Sequence, residues 1–188
     1  MDFQQDFGTV DIILNSDFET RGVDAFALSL IKAEKQARRI FTFLIFQNPA
    51  FSIFDYSELR STLATNKNLY FDGFIKGIDL ILPRQLKQVY GADYDKDIRD
   101  LILFTKDRNK IFHGQVTLGG LSRNDLIDRV THIKKWCKHL GETIKAEIGY
   151  DGFSDSYKKS QTELKLNNLN KFDTIAKYEQ FLKKEMQR

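Results

Sequence analysis

Two stretches far apart in the chain carry the same apolar rhythm, and that rhythm limits the fold more than any other feature. Phe26, Leu30, Ala33, Ala37, Ile40 and Leu44 follow a 4-3-4-3-4 spacing, and so do Leu126, Val130, Ile133, Cys137, Leu140 and Ile144. Such spacing returns a side chain to one face of an α-helix at every turn, whereas a strand would need strict alternation. Two long amphipathic helices with matching stripes are therefore predicted, and each buries its stripe most simply against the other. Only two prolines, Pro49 and Pro83, interrupt the 188 residues, so little prevents the helices from being long. The fold class expected is all-α, a bundle of four or five main helices with a C-terminal helical tail.

The boundaries follow from caps and breakers. Asp24 is an N-cap for the first long helix, whose second half, Ile40 to Phe46, is apolar nearly all round. A helix of that kind needs cover on more than one side, as the central helix or against a partner subunit. Asn48-Pro49 ends it, and a short helical piece is expected over 57–64. A second main helix over 69–82 carries Phe71, Phe74, Ile75, Ile78, Ile81 and Leu82, and Pro83 closes it. Arg84 to Tyr90 forms a short helix ended by Gly91. Asp93 or Asp95 starts the next, with Ile98, Leu101, Ile102 and Thr105 on its buried side. Gly114 permits a left-handed cap, Val116 to Leu118 is briefly extended, and Gly119-Gly120 turns the chain. Ser122 and Asp125 stand at N-cap and N3 of the following helix, with Leu121 and Leu126 spaced as a hydrophobic staple. The chain thus divides into an N-terminal extension (1–23, with Val10 to Leu14 as a short extended segment), a helical bundle (24–149), and a C-terminal part (150–188). In the last part a polar linker over 150–170 leads to a helix that docks on the bundle or on a partner.

Composition narrows the class. Hydrophobic content of 41% is that of a globular chain, and the length suits one core. The opening Met-Asp-Phe-Gln-Gln-Asp has neither a basic nor an apolar leader region, and no apolar run approaches the ~20 residues needed to span a bilayer. A soluble, cytoplasmic protein with no membrane partner is expected. The one cysteine, Cys137, cannot form an internal disulfide. Net charge is +3, but residues 84–140 hold 12 Lys+Arg against 7 Asp+Glu. That excess fits a polyanion, and it fits a solvated helix face equally.

Within that basic third, Lys106-Asp107-Arg108-Asn109-Lys110-Ile111-Phe112-His113-Gly114 places an arginine, an amide and a histidine at the exit of a helix. Arginine offers a fixed, charged fork to phosphate oxygens, and histidine is the side chain that most readily carries protons near neutrality. Asn109 and His113 are i and i+4 and share a face. Arg108 and His113 are separated by about 140° and a rise of about 7.5 Å on an ideal helix. One chain does not simply stack them, and two protomers would offer another route. The plainer alternative is that Arg108 pairs with Asp107 or another acid, Asn109 caps the helix end and His113 is favoured there by the helix dipole.

Arg108-Asn109-Lys110-Ile111-Phe112-His113 resembles the R-N-x-x-x-H form of the R-x(4–6)-H motif of the HEPN superfamily, small all-helical domains many of which are ribonucleases. The likeness covers roughly residues 24 to 149. It implies a metal-independent endoribonuclease without cofactors that cleaves RNA through its own 2′-hydroxyl at a composite site in a homodimer, with Arg108, Asn109 and His113 catalytic. His113 would be base or acid, Arg108 the phosphate clamp, and Asn109 an orienting group. A toxin or phage-defence effector, held by an antitoxin or other regulatory partner, is the corresponding biological role; a catalytically inactive interaction or nucleotide-binding module is the alternative. Lys106, Lys110, Gln115, Lys134 and Lys135 are candidate RNA contacts, and Glu34 is a candidate acid facing the motif. Where some family toxins follow the histidine with x-Tyr, this chain has Gly114-Gln115, which argues against control by modification of that tyrosine.

No metal site is expected. Asp93-x-Asp95-x-Asp97 begins like a calcium loop, yet Ile98 and Phe104 stand where the glycine and the terminal glutamate belong. His132, Cys137 and His139 cannot share one helical face at spacings of five and two.

Overall fold

The stripe from Phe26 to Leu44 lies on the helix around which the rest is packed. In the computed structural model, which describes residues 2–117 and 119–187, the chain forms eight α-helices and, among those residues, no strand. They are α1 (Phe3–Leu14), α2 (Arg21–Phe46), α3 (Tyr56–Thr65), α4 (Phe71–Ile81), α5 (Leu86–Tyr90), α6 (Tyr94–Phe112), α7 (Arg123–Ile148) and α8 (Ile175–Phe181), the last continued by a π-helical turn, Leu182–Met186. α2 packs on α7, α4 and α1. The matched stripes of α2 and α7 are buried throughout, as their shared spacing requires.

The all-apolar half of α2 is covered within this one chain. Phe41 meets Phe74 of α4 and Tyr178 and Phe181 of α8, while Phe43 stacks on Tyr150 with ring centroids 4.4 Å apart. A partner subunit is not needed to cover it. The expected capping box is formed at α7, where Ser122 accepts from the Asp125 amide and Asp125 accepts from the Ser122 amide.

Three expectations are corrected. Val10 to Leu14 is helical, not extended: Asp2 caps α1 in a capping box with Gln5, and Phe7 and Val10, one turn apart, are buried against the core. Burial of that stripe outweighs the β-branched character of the run. Second, α2 begins at Arg21 rather than after Asp24, whose carboxylate accepts from the Thr20 hydroxyl at 2.7 Å. Third, the segment after α7 is not a loose linker. Gln36 donates to the Asp151 carbonyl at 2.9 Å, Arg39 to the Phe153 carbonyl at 2.9 Å, and Thr42 to the Ser156 hydroxyl at 2.8 Å. Tyr150 and Phe153 are buried beside these polar ties, and Phe172, whose carbonyl accepts from Asn48 at 3.3 Å, is buried as well. Residues 116 and 117 have no regular structure, and Leu118, the end of the expected extended piece, lies outside the described residues.

The C-terminal helix docks in cis. A Cβ on Gly73 would come within 2.3 Å of the Met186 carbonyl oxygen, and one on Gly77 within 2.9 Å of both the Met186 sulfur and the Phe41 ring. α4 is thus notched by two glycines one turn apart, and the π turn lies in the notch.

Candidate functional site at the exit of α6

α6 ends as its sequence demands. The Gly114 amide donates to Ile111 at 3.0 Å and the Gln115 amide to Lys110 at 2.8 Å, with Gly114 in the left-handed region at φ +65°. These two bonds are the Schellman pair, which a side chain with a Cβ would strain at Gly114. His113 is the residue just before this turn, exposed, and its ring has no hydrogen-bond partner among the described residues.

Arg108 lies on the other side of α6, against α2. Its Nη1 is 3.2 Å from Glu34 Oε1, and its Nε and Nη2 donate to Asn109 Oδ1 at 3.2 and 3.1 Å. Two of the five guanidinium N–H groups are hydrogen-bonded to Asn109, and Nη1 is ion-paired with Glu34, so the fork is held from two sides. The side chain is only 14% exposed. Glu34, the acid singled out from the sequence, is thus in contact with the motif. Asp107 is not Arg108's partner: it is buried and bonded to Arg129 at 2.7 Å, and Arg129 in turn lies over the Phe104 ring at 4.6 Å. This second pair ties α6 to α7 one residue away from the motif.

Asn109 connects two surfaces. One side of it receives Arg108, and the other lines a cleft of about 460 Å³ formed with Ile102, Thr105 and Lys106 of α6 and with Asn68, Tyr70, Phe71 and Asp72 ahead of and within α4. Ile102, Lys106, Asn109 and His113 follow a 4-3-4 spacing. That is a signal in the sequence for one polar face of α6 that the apolar stripe distracts from, while the wall from Asn68 to Asp72 leaves no such trace. Lys110 is half-buried and Gln115 exposed at the turn.

The remaining candidates lie elsewhere. Lys134 is ion-paired with Asp11 of α1, and Lys135 lines a different cleft with Tyr90, Asp97 and His139, so neither contacts the motif. Asp97, Asp100 and His132 bring ligand atoms within 4.8 Å of one another, the one group among the described residues able to hold a metal ion. It joins α6 to α7, which sequence spacing does not reveal, and His132 Nε2 is already 3.1 Å from Asp97 Oδ1. Cys137 is fully covered, and burial pushes its thiol well above the ordinary range, so it offers no nucleophile. No helix among the described residues is long and apolar enough to cross a membrane. No family model, no curated protein and no solved structure matches the chain.

Proposed function

We propose that this protein is an endoribonuclease of the HEPN type, working without a metal through Arg108, Asn109 and His113. The observation that carries the reading is a braced arginine and, five residues on at the same helix exit but on another side of it, an unpartnered, exposed histidine. Phosphodiester cleavage by the 2′-hydroxyl needs a base for that hydroxyl, charge on the phosphorane oxygens and an acid for the departing 5′-oxygen. Arg108's remaining donors serve the phosphorane, and His113 serves as base or acid. The cleft beside Asn109 and Lys106 is wide enough for a base of the same strand.

One chain supplies one histidine, so the second proton transfer comes from a second copy. Phe112 and Val116 bracket His113 and are 61% and 85% exposed, an apolar rim suited to a homodimer. The central position of α2 removes one reason to expect a dimer, and this rim supplies another. A toxin or defence role under a regulatory partner follows from the same resemblance. The competing reading, an inactive interaction module, draws on the occupation of Arg108 by Glu34, which is how an arginine kept for structure would be held.

The test is incubation of mixed RNA with the protein in EDTA. The expected products are fragments ending in 2′,3′-cyclic phosphate, lost in His113→Ala by a factor of about 10² or more. Uncut RNA with wild type, or full activity in His113→Ala, refutes the assignment.

A further inference from the structure

A second cleft, of about 650 Å³, opens between α2, α3 and the segment after α7. It lies one turn along α2 from Glu34 and is separated from the Asn109 cleft by the residues leading into α4. Arg38, Arg39, Arg60 and Lys67 line it, and among the described residues none of the four is ion-paired, though Arg39 donates to the Phe153 carbonyl. The acid on this wall is Asp155, whose carboxylate accepts from the Tyr157 amide at 3.1 Å. Four cations without an ion pair around one concavity repel one another, an arrangement relieved by an anion of more than one charge. Arg60 is oriented by the Tyr56 hydroxyl, to which its Nη1 donates at 3.1 Å.

Beside the cations stand two aromatic rings. Tyr56 and Tyr157 meet edge to face with centroids 4.5 Å apart, and both are half-buried. Burial pushes the Tyr157 phenol up to about 12, with Tyr56 adding to the rise and Arg60 and Arg38 pulling against it. Phosphate oxygens suit the arginine forks, and a planar base suits the rings, on which it can stack. The volume is within the range of about 300–1,000 Å³ usual for small-ligand sites, more than inorganic phosphate alone would fill.

We propose that this cleft binds a nucleotide, with its phosphates on Arg38, Arg60 and Lys67 and its base against the Tyr56 and Tyr157 pair. The nucleotide can be free or one unit of an RNA strand. Neither source requires the α6 site to be catalytic, so binding here stands or falls separately from cleavage.

Titration calorimetry with ADP, pyrophosphate and a 5′-phosphorylated five-nucleotide RNA tests this, on wild type, Arg38→Gln/Arg60→Gln and His113→Ala. ADP is expected to bind at least about tenfold tighter than pyrophosphate, because only ADP reaches the rings. The double variant should lose about tenfold or more in affinity while its melting temperature stays within a few degrees, since both side chains are exposed. His113→Ala should bind ADP as wild type does, since His113 does not line this cleft. Competition between the RNA and ADP assigns the site to a strand, and ADP binding without competition assigns it to a free nucleotide; both support the proposal. Absence of binding by ADP and RNA at millimolar concentration, equal affinity for pyrophosphate, or unchanged affinity in the double variant overturns it.

Discussion

The turn leaving α6 and the segment leaving α7 are both irregular, both glycine-bearing and both rich in polar residues, yet they are built in opposite ways. From His113 to Gln115 the backbone is held by its own helix end alone, and every side chain faces solvent. From Tyr150 to Phe172 the backbone accepts from polar side chains of α2 and of Asn48 just beyond it, and Tyr150, Phe153 and Phe172 are buried. Irregular backbone is as fixed as a helix when a neighbouring element answers its carbonyls and covers its rings. The first segment has neither, and it is there that the chemically useful side chain is free.

The contrast is tested most severely by Phe172→Ala. Phe172 is fully buried, edge to face with Phe181 at 5.4 Å, and its loss should cost about 3–5 kcal/mol in urea unfolding. A value near zero would mean that the segment is a dispensable linker after all. Gln36→Ala removes bonds to the Cys137 and Asp151 carbonyls, both at 2.9 Å, and should cost about 1–3 kcal/mol by the same measurement.

At the far end of the α6 turn, Ser122→Ala removes the cap of α7 and should lower the melting temperature by about 3 °C at neutral pH. Hydrogen bonds from Ser122 hold the Asp125 carboxyl below its ordinary value. A carboxyl held low in the fold stabilises above its unfolded pKa, and that contribution is lost as pH falls through the folded one. The gap between variant and wild type should therefore narrow in acid, and a gap that widens would contradict the capping role. The smallest effect belongs to His113→Ala, within about 0.5 kcal/mol of wild type in stability, because the ring is exposed and touches no partner.

Much of this was legible in the chain. The repeated spacing located α2 and α7, Ser122 with Asp125 located the cap, and Gly114 located the end of α6, because each signal is complete within a few residues. Asp93 to Phe112 brought the motif to a helix exit, and Glu34 could be picked out as a nearby acid. The packed segment from Tyr150 to Phe172 could not be read, since its burial depends on Gln36, Arg39 and Thr42 more than a hundred positions away. α1 was hidden for a similar reason: Val10 to Leu14 is as good a strand as a helix until Phe7 and Val10 are given α2 to cover them. The clusters around His132 and around Arg38 and Arg60 each join elements that share no local pattern.

The glycine notch of α4 has a consequence for the order of assembly. Gly73 and Gly77 give α4 a groove whose filling, Met186, is made far later in synthesis. Until then Phe41 and Phe74, which meet across the same face, have no cover from Tyr178 and Phe181. A nascent chain therefore carries this aromatic surface open from the completion of α4 until Tyr178 to Met186 are made, and covering it needs a long-range contact.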